Sequence, residues 1–181
     1  MYLYCDNDTD FKVTLTNALT GAAITTGALK LTLADTTQTG LITNVTNSGV
    51  SPIVITSASH GLSTGDHVCV MNVVGNKAAN GPQTVTRIDA NTFSLDGTTG
   101  SGDWKDTSAS ATNPATDAPA WYKTVPGVHN QSVSVYSSNL YVLEIANTIN
   151  LISGRQYIGY LCETTSGDVR QVSITGRTAK V

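Results

Sequence analysis

The stretch of sequence that decides the fold is PIVITSASHGLSTGDHVCVMNVVGNKAANGPQTVTRIDANTFSLDGTTG, residues 52–100. Within it, short apolar runs alternate with Gly, Asn and Asp residues at spacings that are typical of strands joined by tight turns. The runs predict strands that start at Ile53, extend from Val68 to Val74, extend from Thr84 to Ile88, and end with Thr92 to Leu95. This stretch therefore predicts a small β-barrel.

The central strand of this barrel, Val68 to Val74, has apolar side chains on both of its faces. Because successive strand residues point to opposite faces of a sheet, one set of side chains is expected to fill the barrel and the other to point outward. The inward set is Val68, Val70 and Val74, and the outward set is Cys69, Met71 and Val73. The outward set then requires a covering layer.

A series of turn and strand motifs in this stretch resembles a known module. The series is His60-Gly61-Leu62, Gly65-Asp66, Gly75, Asn80-Gly81 and Asn91-Thr92-Phe93-Ser94-Leu95-Asp96-Gly97. It is similar to a small barrel that recurs in structural proteins of tailed bacteriophages and is named after the first catalytic cysteine half-domain of ubiquitin-activating enzymes. Gln83 departs from the family, which usually carries an aromatic or aliphatic residue there. The resemblance implies a barrel but no ubiquitin chemistry, because a shared fold does not transfer function.

The composition narrows the class of protein. Charged residues make up 13% of the 181 residues, hydrophobic residues 40%, and the formal net charge is −3. A chain that is poor in charge, rich in Thr and punctuated by Gly favours strands over helices, and its hydrophobic content excludes a disordered chain. The slightly negative charge and the scattered Lys and Arg residues argue against nucleic acid as a partner.

The sequence shows neither a signal peptide nor a membrane span, and this predicts a cytosolic protein. Residues 1–5 have neither a basic start nor a long apolar run, so no signal peptide is predicted. No stretch reaches the length of a membrane span, so no membrane partner is predicted. In a cytosolic protein, Cys5, Cys69 and Cys162 are expected to be reduced and mostly buried thiols.

Strand patterns on both sides of the barrel predict a second domain. Alternating or apolar runs occur at Phe11–Thr16, Ala28–Leu33, Ala120–Val125, Gln131–Tyr136, Leu140–Ala146, Leu151–Glu163 and Val169–Thr175. Asp35–Gly40 is interpreted as a turn, and the polar run Ser101–Pro119 as a linker. The prediction is a discontinuous domain of residues 1–40 and 108–181, into which residues 41–107 insert the barrel and its linker.

The outer domain resembles an immunoglobulin-like sandwich. Leu151-x-x-Gly154-x-x-Tyr157, followed by an alternating strand, is similar to the tyrosine corner of fibronectin-type and immunoglobulin-like domains. About seven strands are predicted, as that fold requires, and Trp121 is expected to be the core tryptophan of the third strand. The predicted fold is all-β, an immunoglobulin-like antiparallel sandwich with an inserted small β-barrel.

No catalytic, cofactor-binding or metal-ligating residues can be nominated from the sequence. His60, His67 and His129 have no nucleophile or ligand at motif spacing. The ring of His60 is expected to cap backbone groups of its turn. Asp66 and His67 are neighbours on a strand and point to opposite faces, so they are not expected to form an acid–base pair. The protein is predicted not to be an enzyme and to need no cofactor.

Trp121, Tyr141 and Tyr157 are at core-type positions, but Trp104 has polar flanks, and the sequence leaves open whether it is buried or contacts a partner. The resemblance implies a non-enzymatic structural component of a tailed-phage virion, assembled in the host cytoplasm: a capsid decoration or cement protein, or a neck or tail accessory protein. It would act as a homo-oligomer through contacts with capsid, neck or tail proteins in a symmetric assembly. The alternative is a tail-fibre module that recognises a host glycan or protein through Trp104 and the barrel loops. The sequence does not distinguish capsid shell, neck, tail and fibre base.

Overall fold

The computed structural model describes residues 2–5, 9–14, 29–107, 118–137, 140–145, 149, 151–152, 155–163 and 169–178. The described chain is all-β, as the sequence predicted, with one short 3-10 turn at Lys77–Ala79. It forms two compact units. The outer unit comprises Met1–Thr36 and Thr124–Val181, and the inserted unit comprises Thr37–Lys123.

Thirteen strands occur in the described residues, and most of them match predicted runs. They are β1 (Tyr2–Cys5), β2 (Thr9–Thr14), β3 (Leu29–Leu41), β4 (Asn44–Val45), β5 (Ile53–Thr56), β6 (His67–Met71), β7 (Gly81–Arg87), β8 (Thr92–Leu95), β9 (Ala120–Thr124), β10 (Gln131–Ser137), β11 (Leu140–Ile145), β12 (Gln156–Glu163) and β13 (Val169–Thr178). The sequence did not predict β1. Residues 108–117 of the predicted linker, residues 15–16 of the first predicted strand and the Cys5 side chain lie outside the described residues.

The prediction of a turn at Asp35–Gly40 is wrong, because β3 continues through this segment. Two of its polar side chains have hydrogen-bonding partners at or directly before the start of β12, so the segment can continue as a strand. Asp35 is 5% exposed, and its carboxylate forms an ion pair with Arg155 at 2.7 Å. The hydroxyl of Thr36 donates a hydrogen bond to the backbone oxygen of Gln156 at 2.8 Å. Threonine is also β-branched, which favours a strand.

The outer unit has the strand order of an immunoglobulin-like sandwich. One sheet has the order β1-β13-β12-β3-β10, in which β1 runs parallel to β13 and the other pairs are antiparallel. The second sheet has the order β2-β11-β10. Strand β10 belongs to both, since its start pairs with β3 and its end with β11. The C-F-G and B-E-D orders of the immunoglobulin fold correspond to β3-β12-β13 and β2-β11-β10.

The core of the outer unit is built on alternate residues of β3. Leu29, Leu31 and Leu33 are at most 4% exposed. The other buried members of the cluster are Val125, Val128, Val133, Leu151, Tyr157 and Leu161. Each fully buried leucine contributes about 1.5–3 kcal/mol from the hydrophobic effect, so this cluster supplies a large part of the driving force for folding.

The predicted tyrosine corner is present. The Tyr157 side chain is 2% exposed, and its hydroxyl accepts a hydrogen bond from the backbone N–H of Ile152 at 2.8 Å. Tyr157 lies near the start of β12, which occupies the place of strand F, and the bond returns to a backbone group five residues earlier in the chain. The corner therefore fixes the approach of the chain to β12.

The inserted unit has the strand order β3-β9-β6-β7-β8-β5-β4. Its ladder is open, which corrects the expectation of a closed barrel. The two ends of the order, β3 and β4, are consecutive along the chain and are joined at Ile42 and Thr43. The N–H of Ile42 bonds to Pro119 O and that of Thr43 to Thr56 O, each at 2.9 Å. Ile42 therefore bonds to the segment before β9, and the next residue, Thr43, already bonds to the end of β5. The hydrogen-bond ladder is not continuous across this change of partner.

The alternation predicted for β6 is correct up to Met71 and then fails. Val68 and Val70 are fully buried in the core as expected, but Val74 is 40% exposed and Val73 is buried in its place. The reason is Asn72, which has φ of +62° directly after the end of β6 and so breaks the strand periodicity. Cys69 and Met71, expected to point outward, are also buried.

Trp121 belongs to the inserted unit, and the prediction that it is the core tryptophan of the sandwich is wrong. Strand β9 pairs with β6, with Trp121 opposite Val70. The indole packs edge-to-face on Phe93 with a centroid distance of 6.3 Å, and its N–H donates to Ser57 Oγ at 2.8 Å. Residues 118–123, assigned from sequence to the outer domain, are therefore part of the inserted unit.

Candidate functional site: the loop surface around Trp104

Three loops meet at one end of the inserted unit, and together they form the surface that carries Trp104. They comprise residues 46–51, 72–80 and 97–105, and we call them the Trp104 loop surface. Backbone hydrogen bonds connect them: Gly49 N–H to Gly100 O at 3.0 Å, Gly100 N–H to Val50 O at 2.9 Å, and Lys105 N–H to Val74 O at 3.1 Å. The loops therefore hold one another in place without a regular sheet.

Asn76 is the central cross-link of this surface. Its side chain is fully buried. The amide nitrogen donates to Thr46 O at 2.6 Å, and the amide oxygen accepts from Ser101 N–H at 3.0 Å. A single side chain thus satisfies one backbone acceptor and one backbone donor from the two other loops.

Two further asparagines of this surface form side-chain hydrogen bonds to backbone groups. Asn80 binds both backbone groups of Val73, accepting from its N–H and donating to its carbonyl oxygen, each at 2.9 Å. Asn47 accepts a hydrogen bond from the backbone N–H of Trp104 at 3.0 Å. The position of the Trp104 backbone is therefore set by a side chain from a different loop.

Glycines at this surface allow backbone segments to approach each other closely. A Cβ atom on Gly75, which has φ of +87°, would collide with Asp103 O, and one on Gly100 would collide with Asn47 O. Only glycine accepts both restrictions at Gly75.

Trp104 is partly buried and packs against the core of the inserted unit. Val50 and Val74, from the other two loops, are 41% and 40% exposed. Asp103 and Lys105 are exposed beside Trp104. An aromatic residue and exposed apolar side chains with charged neighbours on rigid loops are suited to a protein–protein contact. The use of Trp104 as a partner contact remains a prediction.

His60 lies at another turn of the inserted unit, and its ring caps backbone groups as predicted. It is 6% exposed. Its Nδ1 accepts the Leu62 N–H at 3.0 Å, and its Nε2 lies 3.0 Å from the carbonyl oxygen of Asp89. The ring also packs edge-to-face on Phe93 with a centroid distance of 5.0 Å. Both ring nitrogens are thus used by the fold.

Asp66 and His67 bond to different partners, but Asp66 precedes β6, so the two are not neighbours on a strand as expected. The Asp66 carboxylate forms an ion pair with Lys123 at 2.8 Å and accepts from Ser63 N–H at 2.9 Å. Burial raises the pKa of Asp66, but these hydrogen bonds and the charge of Lys123 outweigh it, so that the pKa is lowered. The His67 ring lies 3.0 Å from Thr84 Oγ1.

Chemically reactive groups are few in the part of the chain that the structure describes. Cys69 and Cys162 are reduced thiols, and burial raises the pKa of the Cys69 thiol strongly, which disfavours the reactive thiolate. Among the described residues, no group of three or more His, Cys, Asp or Glu side chains could hold a metal ion. Nor does the described region contain a helix that is long and apolar enough to cross a membrane.

Comparison with models of known protein families, with curated proteins and with solved structures gives no match for this chain. The site must therefore be interpreted from its own residues. Sequence reasoning singled out Trp104 but missed Val50, Val74 and the asparagine cross-links. The one available signal was the position of Asn47, Asn76 and Asn80 in polar loops, since asparagine readily bonds to backbone groups there.

Proposed function

We propose that this chain is a non-enzymatic structural component of a tailed-phage virion, and that the Trp104 loop surface contacts a neighbouring virion protein. The observation that carries the proposal is the role of the residues that resemble the phage module. Its glycines take positive φ angles, namely Gly61, Gly65, Gly75, Gly81 and Gly97. These are conformations that other residues rarely adopt.

The polar residues of the motif also serve the backbone. His60 caps its own turn, Asn80 holds Val73, and Asn91 accepts the N–H of Ser59 at 2.9 Å. Gln83, where the chain departs from the family, donates to Asn80 O at 3.3 Å. A motif whose residues build the fold supports a scaffold role better than a reaction. The proposal therefore favours contacts repeated by symmetry, through which weak interfaces become a stable attachment.

The test is electron microscopy of virions in which this chain carries a label, together with measurement of how much chain is incorporated. We expect the label at symmetry-related positions. Trp104→Ala should lower incorporation at least about tenfold, the effect of truncating an interface hot spot. Ile88→Ala is the matched control, because Ile88 is an apolar residue, 55% exposed, in the turn after β7. Virions that lack the label would reject the proposal, and equal effects of the two substitutions would reject the assigned surface.

A second candidate function is the recognition of a host glycan by the same surface. It is favoured by the partial exposure of Trp104 between polar neighbours, since aromatic rings stack on sugars. A glycan-array signal from the purified chain that is lost in Trp104→Ala and kept in Ile88→Ala would support this function. Virion incorporation that is unaffected by Trp104→Ala, together with such a signal, would establish it over the contact role of Trp104.

A further inference from the structure

His60 lies between two segments of the inserted unit that are not strands. The segments are residues 57–62, which follow β5, and residues 88–91, which connect β7 to β8, and we call the pair the clasp. Backbone N–H groups of the first segment bond to the second: Ser57 to Asn91 O at 2.8 Å, Ser59 to Asn91 Oδ1 at 2.9 Å, and His60 to Ala90 O at 3.2 Å. The His60 ring adds the contacts that depend on its protonation state.

The geometry of the ring defines a single tautomer. The N–H of Leu62 can only donate, so Nδ1, which lies 3.0 Å from it, carries no hydrogen. The carbonyl oxygen of Asp89 can only accept, so Nε2, 3.0 Å away, carries the hydrogen. The structure thus uses neutral imidazole, with one nitrogen as donor and the other as acceptor.

Protonation removes the acceptor. The imidazolium ion has two N–H donors. A hydrogen on Nδ1 and the hydrogen of the Leu62 N–H would then point at each other between two nitrogen atoms that are 3.0 Å apart. The ring is 6% exposed and lies against Phe93, which leaves it little access to water as an alternative partner. The Leu62 N–H would lose its acceptor at the same time. Either the ring or the segment must then move.

Two charged side chains lie near the ring. Arg87 donates from Nε to the same carbonyl oxygen of Asp89 at 3.1 Å. The Asp89 carboxylate accepts the N–H groups of Asn91 and Thr92 at 2.7 and 2.8 Å, and these bonds lower its pKa. The donor–donor conflict at Nδ1 does not depend on these two side chains.

We propose that the clasp contains an acid-sensitive turn: protonation of His60 breaks its bond to Leu62 and opens residues 60–62 locally, while the strands of the inserted unit stay paired. Histidine is the side chain that normally changes charge between about pH 5 and pH 8. Opening of the turn is therefore coupled to the protonation of this one ring. It is independent of the function proposed above.

The test uses nitrogen-15 NMR on the whole chain. Long-range nitrogen–proton spectra are expected to show His60 as the Nε2–H tautomer at neutral pH. On titration from about pH 8 to about pH 5, the hydrogen-exchange protection factor of Leu62 should fall at least about tenfold, with the same midpoint as the His60 ring. Amides of β6 and β7 should keep their protection.

Two variants complete the test. In His60→Asn, the side-chain oxygen can accept the Leu62 N–H in an Asx turn and does not titrate, so the protection of Leu62 should become independent of pH. His67→Asn removes an exposed histidine of the same unit and should leave the acid response unchanged. The proposal is overturned by constant Leu62 protection through the titration of His60, by the same acid response in His60→Asn, or by a His60 ring that stays neutral until the whole chain unfolds.

Discussion

Replacing Tyr157 by Phe removes one hydroxyl from the tyrosine corner and keeps the ring in the core. The lost hydrogen bond to Ile152 N–H, 2.8 Å long, contributes about 0.5–1.5 kcal/mol, and a buried N–H left without a partner adds up to about 3 kcal/mol. Because the Ile152 side chain is 44% exposed, water can approach this part of the chain. We therefore expect Tyr157→Phe to lower the free energy of unfolding of the outer unit by about 1–2 kcal/mol.

The two units can be monitored separately during unfolding by urea. Both tryptophans of the chain, Trp104 and Trp121, lie in the inserted unit, so tryptophan fluorescence reports on that unit alone. Far-UV circular dichroism reports on both. With a slope of about 1–3 kcal/mol per molar urea, the expected loss of about 1–2 kcal/mol moves a midpoint by roughly 0.3–2 M. We expect this shift in the dichroism transition and a smaller one in the fluorescence transition.

Ile152→Ala is the matched control for Tyr157→Phe. It removes an exposed side chain but keeps the backbone N–H that bonds to the tyrosine, so we expect a change within about 0.5 kcal/mol. The reasoning is refuted if Tyr157→Phe leaves both midpoints unchanged, or if Ile152→Ala lowers the stability as much as the loss of the hydroxyl does. Either result would show that the corner bond is not what holds this loop.

Three further substitutions test the inserted unit. Gly40→Ala should lower its stability by about 1–3 kcal/mol in fluorescence-monitored unfolding, because the new Cβ would lie 2.7 Å from Trp121 Nε1. Asp66→Asn should cost under about 1 kcal/mol, since the ion pair with Lys123 is partly exposed. The lowered pKa of Asp66 makes that difference full above about pH 4 and absent once acid protonates the folded carboxyl, which a pH series of unfolding curves checks. Asn76→Asp should cost at least about 2 kcal/mol, measured by the same fluorescence.

Much of the fold could be predicted from local sequence signals. The apolar runs that include Ile53 and Phe93 are strands, and the turns at Gly61 and Gly97 have the positive φ angles that glycine permits. The corner at Tyr157 was also predictable, because its hydrogen bond joins residues that are close in sequence. These features depend on periodicity or on short-range geometry, which a single sequence contains.

The predictions that the structure contradicts share a different cause. Asp35–Gly40 looks like a turn until its partners on β12 are known, since those partners lie far away in sequence. Asn72 shifts the following residues by one position through a single backbone angle, so that Val73 and Val74 exchange places. Trp121 was assigned to the wrong unit because its strand pairs with β6, across a long stretch of chain. Such choices depend on tertiary pairing and not on propensity.

The candidate site follows the same division. Trp104 could be nominated from its polar flanks, but Val50 and Val74 join the same surface only after three loops are assembled. No local pattern indicates that assembly. The information is carried by Asn76, whose amide connects its own loop to both of the others, and asparagine in a loop is too common to identify such a role in advance.

The low charge of the chain has a physical explanation in these loops. A carboxylate accepts hydrogen bonds but cannot donate, and a lysine donates but cannot accept. Asn76 and Asn80 each meet one backbone acceptor and one backbone donor, so only an amide satisfies both at once without burying a charge. A unit that fixes its irregular ends in this way places amides where many proteins place ion pairs. At these two positions, the absence of a charged side chain thus follows from the need to satisfy a backbone donor and a backbone acceptor together.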